Sequence, residues 1–197
     1  MHEEITGIIL AGGRATRMGG EDKGLVPIAD IPLYQYVLAR LRPQVGPIAI
    51  NANRNQARYR ESGLPIIGDL IPDFSGPLAG MLAGLKYATT EWVAFVPCDV
   101  PDFPATLIEK LWQQKGSAIA AYASDGERAH PTLALLHTSL ATPLEDYLAR
   151  GERKLMLFLD AARAQQVEFK GQQSAFHNLN TLEDCQRWVK EKGIIHE

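Results

Sequence analysis

The run WVAFVPCD, residues 92–99, carries no charge before its last residue. A strand with one wet face alternates apolar and polar side chains, so an unbroken apolar run is what a strand buried on both faces needs. Such a strand belongs in a mostly parallel sheet with helices on either side. The flanking sequence supplies the rest of that architecture. Residues 5–10 (ITGIIL) are a second short apolar run, ending near glycines as a buried strand feeding a loop does. Leu33, Val37 and Leu41 recur at helical spacing ahead of Pro43, which predicts a helix over 33–42. A strand follows over 48–53, a helix over 55–62 closed by Gly63, and a short strand over 65–69. SGPLAGMLAGLKYA then opens a helix near Pro77, a residue suited to a first helical turn. Alternating strands and helices predict an α/β fold.

The second half changes character. A helix is predicted over 105–114, then two strands over 117–123 and 131–137 around SDGERAH, whose Asp125–Gly126 pair signals a turn. This reads as an inserted antiparallel hairpin. Helices over 140–149 and 155–162 lead to a strand near Val167. Thr181 and Asp184 have capping-box spacing for a last helix reaching Lys192. There is no repeat, low-complexity tract or linker, and 197 residues suit one core, so the chain is read as a single domain over residues 1–197.

With 46 % hydrophobic and 22 % charged residues the composition is that of a globular protein, and a net charge of −3 argues against a general nucleic-acid binder. Any cationic site must be local. Two distant cysteines, Cys98 and Cys185, form neither a disulfide framework nor a metal knuckle and fit a reducing compartment. The first residues lack a basic-then-apolar leader, and no apolar run approaches the roughly 18 residues of a membrane span. A cytoplasmic protein without membrane contact is expected.

The local cationic site is sought in IILAGGRATRMGGEDKGL, residues 8–25, with five glycines and the cations Arg14, Arg17 and Lys23. Lys23 is followed by Gly24, so this is no Walker loop, and no GxGxxG fingerprint is present. A surface loop whose glycines only permit positive φ is the plain alternative. Position favours a ligand: the loop leaves the C-terminal end of the first strand, where open α/β sheets bind their ligands. Glycine N–H groups can approach phosphates closely, and Arg17 and Lys23 can make charge-assisted bonds to them.

These residues resemble the LAGG-x(n)-RMG-x-DK-x-L signature of GT-A-like nucleotidyltransferases. The resemblance continues through INANR, GPLAGMLAGL, VPCDVP, HPTLAL, GERKL and HNLNTLED, nearly the whole chain. In that order the blocks are similar to those of the molybdenum cofactor guanylyltransferase family. The resemblance implies a Rossmann-like α/β domain that uses Mg²⁺ to transfer GMP from GTP to molybdopterin, releasing pyrophosphate. It also implies transient contact with other cofactor-biosynthesis or molybdoenzyme-maturation proteins. Two alternatives stay open: a cytidylyltransferase acting on molybdopterin or another phosphorylated metabolite, and a non-catalytic GTP-binding regulator.

Phosphoryl chemistry of this type needs positioning and charge neutralisation rather than a side-chain nucleophile. Asp99 closes the apolar strand, where a carboxylate is placed to hold Mg²⁺ against phosphate oxygens. A turn or capping aspartate before Pro101 is its alternative. By similarity Leu10, Ala11 and Gly12 line the nucleotide pocket through their backbone. Lys23 binds the triphosphate with Arg17 beside it, and Asn51 and Asp69 contact the nucleoside. For Asn51 and Asp69 the alternative is a turn residue at a strand end. Arg153 and Lys154 in GERKL, with Asn178 and Asn180 in HNLN, are the candidates for an anionic pterin acceptor. A solvated charged turn is the alternative there. For His130 in AHPT, a place facing the same cleft and a structural role both stay open, and Cys98 reads as a small core residue.

Overall fold

The two strands read as buried on both faces are so: Ile5, Ile9, Ala94 and Val96 join one apolar cluster, and Ile8, Val93 and Phe95 join a second on the opposite face. The computed structural model describes residues 2–12, 17–18, 21–71 and 76–193. Its elements are β1 (Ile5–Leu10), the two-residue hairpins β2 (Arg17–Met18) with β3 (Glu21–Asp22) and β4 (Pro27–Ile28) with β5 (Ile31–Pro32), and α1 (Leu33–Leu41). Then come β6 (Ile48–Asn51), α2 (Gln56–Tyr59), β7 (Ile66–Ile67), α3 (Pro77–Tyr87), β8 (Trp92–Pro97) and α4 (Leu107–Gln114). The chain continues with β9 (Ala120–Ser124), β10 (Ala129–His137), α5 (Ala141–Ala149), α6 (Leu155–Ala161), β11 (Gln165–Glu168) and α7 (Leu182–Lys192).

Seven strands form one sheet in the order β11-β9-β10-β8-β1-β6-β7. All run the same way except β10, which is antiparallel to both β8 and β9. The hairpin expected around SDGERAH is therefore woven into the main sheet. Helices α1 and α4 cover one face with Val37, Leu41, Ile108 and Leu111. Helices α3, α5 and α6 cover the other with Leu82, Leu144 and Phe158. Gly84 lets α3 lie close to the sheet, since a Cβ there would come 2.7 Å from the Phe95 ring. A third cluster joins Leu33 of α1, Ile28 of β4 and Cys185 and Trp188 of α7, which fastens the last helix beside the sheet. None of the helices among the described residues is long and apolar enough to cross a membrane.

Some predicted elements shift. The strand over 48–53 stops at Asn51, because beyond it the Asn53 side chain turns to Asp69. The helix over 55–62 is one α-turn followed by a 3₁₀ turn, Arg60–Ser62, with Gly63 left-handed at its end. The hairpins β2–β3 and β4–β5 are too short for any period-2 signal. The capping box of α7 forms as spaced: Thr181 Oγ1 accepts from Asp184 N (3.0 Å) and Asp184 Oδ2 from Thr181 N (3.1 Å).

Candidate active site

One edge of the sheet collects the C-terminal ends of β1, β6, β7 and β8. Gly12, Asn51, Asp69 and Asp99 follow or close those strands. Cys98 N donates to Leu10 O (3.1 Å) and Ala11 N to Asn51 O (2.8 Å), so the three exits are held in register past the ladder.

Lys23 reaches this edge because of its neighbours. Asp22 accepts from the Tyr59 hydroxyl (2.9 Å) and from Asn55 Nδ2 (3.5 Å). Burial, reinforced by Cys98 and Asp22 nearby, pushes the Tyr59 phenol far above its ordinary range, so it stays a donor. Gly24 passes so close to that hydroxyl that a Cβ would lie 2.5 Å from it. Lys23, in the 3₁₀ turn Lys23–Leu25, is thereby turned inward and is only 8 % exposed. Its Nζ donates to Asp99 Oδ2 (3.1 Å) and to Asn180 Oδ1 (2.8 Å).

Asp99, also 8 % exposed, is held from a third side. Leu179 N donates to its backbone oxygen (2.9 Å) and Asn178 Nδ2 reaches Oδ2 (3.4 Å). A buried ammonium and carboxylate are tolerable only as a well-bonded pair. Lys23 and Asp99 form the floor, and the exposed Asn178 and Asn180 form its rim. Cys98 lies on the apolar face beneath, where burial, with Asp99 adding to it, pushes its thiol well up, so it stays neutral.

A second polar group sits under Gly12. Asp69 accepts from Asn51 Nδ2 at Oδ1 and from Asn53 Nδ2 at Oδ2, both at 2.9 Å, and its own N–H donates to Asn53 Oδ1 (2.7 Å). Asn53 Nδ2 also donates to Gly12 O (2.9 Å). A Cβ on Gly12 would lie 2.7 Å from Asn51 Oδ1, so only glycine lets the loop come this close. Each Asp69 oxygen keeps a lone pair for a further donor.

Lys23, Asp99, Asn178 and Asn180 thus meet in one cluster, and Gly12, Asn51 and Asp69 in its neighbour. Arg17 lies in β2, its backbone paired with Asp22, and only its backbone is described. Arg14 lies outside the described residues. Arg153 and Lys154 are exposed in the turn before α6, where Arg153 Nη1 donates to Glu152 O (2.7 Å) and Leu148 O (3.4 Å). A cavity of about 690 Å³ runs along α7, lined by Leu179, His177 and Trp188 among others, and none of the predicted site residues lines it. Asp22, Tyr59 and Asn53 were not singled out from the sequence. Asp22 stood inside the quoted DK pair, and Asn53 stood in the quoted INANR two residues after Asn51, just beyond the end of β6. Tyr59 carried no signal, because its role is a contact across 37 residues.

Residues 7–167 match a model of the MobA-like NTP transferase domain family. The molybdenum cofactor guanylyltransferase of Serratia proteamaculans (strain 568) is 81 % identical over 197 residues, all of both chains. That of Yersinia pestis (strain Pestoides F) is 60 % identical over 192 residues, 98 % of each. Among solved structures, molybdopterin-guanine dinucleotide biosynthesis protein A from Archaeoglobus fulgidus superposes with a TM-score of 0.74 over 96 % of this chain and 100 % of its own, at 22 % identity, a likeness of fold. With its sheet, its glycine loop and the Lys23–Asp99 floor, the chain belongs to the MobA-like NTP transferase family, among the molybdenum cofactor guanylyltransferases.

Proposed function

We propose that this protein transfers GMP from GTP to molybdopterin, releasing pyrophosphate and forming the guanine dinucleotide form of the molybdenum cofactor. The observation that carries the reading is the Lys23 ammonium, buried at the mouth of β1 and bonded to Asp99 and Asn180. In the reaction a phosphate oxygen of the acceptor bonds to the α-phosphorus of GTP while the bond to the departing pyrophosphate breaks in line with it. Lys23 moves its ammonium from the carboxylate to the phosphates and offsets charge growing on the leaving group. Arg17 adds a second cation from β2. The Leu10–Gly12 backbone, Asn51 and Asp69 seat the nucleoside, and the Asp69 lone pairs suit the N1–H and N2–H donors of guanine. Asn178 and Asn180, on the rim of the Lys23–Asp99 pair, orient the acceptor there. Arg153 and Lys154, exposed in the turn before α6, hold its anionic group.

Asp99 is the residue that would hold Mg²⁺. Among the described residues no cluster of three His, Cys, Asp or Glu side chains could bind a metal alone. The donor set therefore fits an ion shared with the nucleotide, since magnesium takes one or two carboxylates and completes its shell with phosphate oxygens and water. Bound so, it supplies charge neutralisation at the phosphates. We read all 197 residues as one working domain, because Asn180 lies beyond the matched family region yet bonds Lys23. Cys98 and Cys185, both buried and neither in a disulfide, fit a cytoplasmic setting.

Pyrophosphate release measured with molybdopterin, Mg²⁺ and each nucleoside triphosphate tests the reading. GTP is expected to be the productive donor, with ATP and CTP at least about tenfold poorer, since the wrong base leaves buried polar groups unpaired. Equal turnover with CTP would make the protein a cytidylyltransferase. GTP binding without pyrophosphate would make it a regulator.

A further inference from the structure

His130 and Asp125 have no part in the reaction as derived above, yet they stand at the same sheet edge. Strand β10 is the direct neighbour of β8. Running back from the Ala134–Phe95 pair, β10 reaches His130 as β8 runs on to Asp99. Asp125, buried after β9, has one oxygen fixed by the backbone N–H groups of Glu127 (2.8 Å) and Arg128 (2.9 Å). Its other oxygen lies 2.8 Å from His130 Nε2. The bond to His130, and then the two amides, hold this carboxyl down to about 2, so it is ionised and acts only as an acceptor. His130 therefore carries its proton on Nε2, and the ring cannot turn without breaking that bond.

The fixed imidazole lies almost parallel to the Phe176 ring, 4.8 Å between centroids and 13° between planes. Phe176 is fully buried, with Phe169 edge-on at 5.5 Å. From Phe176 the chain leaves its 3₁₀ turn in an extended conformation and delivers Asn178, Leu179 and Asn180 to Asp99 and Lys23 within four residues. At the far end Asn180 N is tied to Asp184 Oδ2 (2.9 Å) by the cap of α7. The segment is thus pinned at both ends, by the His130–Phe176 stack before Asn178 and by the α7 cap at Asn180.

We propose that Asp125 and His130 form a positioning pair for nucleotidyl transfer: Asp125 locks the His130 ring, and the ring, stacked on Phe176, sets the register in which Asn178 and Asn180 meet Asp99 and Lys23. The stacked face of the ring is what acts, not its proton. The inference rests on the proposed function for its catalytic consequence, and on geometry alone for the coupling.

The test therefore has two readouts. Amide hydrogen exchange of His130→Ala is expected to quicken at Leu179 and Asn180 by at least about tenfold, with the amides of β1 and β8 unchanged, because local opening frees the weaker-held unit first. In pyrophosphate-release assays the same variant is expected to lose at least about tenfold in kcat/KM for molybdopterin while the Kd for GTP stays within about twofold. His130→Phe keeps the stack but loses the bond to Asp125, so both readouts are expected to fall between those of the wild type and His130→Ala, whereas a proton-transfer role would leave its turnover as low as that of His130→Ala; full recovery would remove Asp125 from the pair. Unchanged exchange at Leu179 in His130→Ala overturns the coupling. Faster exchange with unaltered transfer, or a His130→Phe as impaired as His130→Ala, overturns the positioning role. Should His130→Ala not fold, His130→Leu, which fills the space without a ring, is judged by the same measurements. A wild type that releases no pyrophosphate would end the proposed function, and the exchange result would still decide the clamp.

Discussion

At the scale of single residues, the Lys23–Asp99 pair holds two charges out of water, where each needs the other. Lys23→Ala strands the Asp99 carboxylate with Asn178, so it is expected to lower turnover more than tenfold and stability by about 1–3 kcal/mol, read by pyrophosphate release and denaturant unfolding. Asp99→Asn keeps the size and leaves Lys23 bonded to Asn180. Folding and GTP binding are then expected to survive while Mg²⁺-dependent transfer falls by at least about a hundredfold. Near-normal turnover of Asp99→Asn would reduce Asp99 to a turn residue, a role asparagine fills as well. A glycine supplies a subtler test. At Gly80 a Cβ would lie 2.4 Å from Asn51 Oδ1. Alanine is better than glycine inside a helix by about 1 kcal/mol, so a Gly80→Ala variant that melts lower reports the clash directly. By displacing Asn51 from Asp69 it is also expected to raise the KM for GTP.

Elements carry a different kind of information. The helices of α1, α3 and α7 and the strands β1 and β8 were legible because their signals are local: spacing of leucines, a proline at a first turn, a capping box, an unbroken apolar run. The place of β10 was not. That it slots between β8 and β9 depends on pairings across the sheet that neither strand's own residues declare. The same holds at the site. Lys23 and Asp99, which meet in the fold, were singled out from residue type and from their places in the loop after β1 and at the end of the apolar run, whereas Tyr59 and Asn53 enter through contacts made only after folding. The β9–β10 turn has a measurable signature of its own. Asp125 has a folded value below that of the unfolded chain, so its contribution is complete above about pH 4 and is lost as pH falls toward about 2. Acid unfolding of Asp125→Asn is accordingly expected to lose part of the pH dependence seen in the wild type across that window, and an unaltered profile would contradict the bonds drawn to Asp125.

Across the whole molecule the three apolar clusters are unequal. Two sandwich the sheet, while the third holds α7 through few side chains, chiefly Trp188, which stacks edge-on against Tyr36 (5.1 Å) and donates Nε1 to Asp102 Oδ2 (2.8 Å). Trp188→Ala is expected to cost about 3 kcal/mol or more locally and to expose the α7 amides to exchange while β1 and β8 stay protected. Loss of protection throughout would show instead that α7 and the sheet unfold as one unit. The bond from Asn180 to Lys23 has a consequence for the making of the protein. A ribosome delivers residue 23 ahead of most of the sheet and residue 180 only after every strand of the sheet among the described residues. The sheet is therefore complete in chain order before the segment that carries Asn180, and a chain that has made every strand still lacks one wall around Lys23.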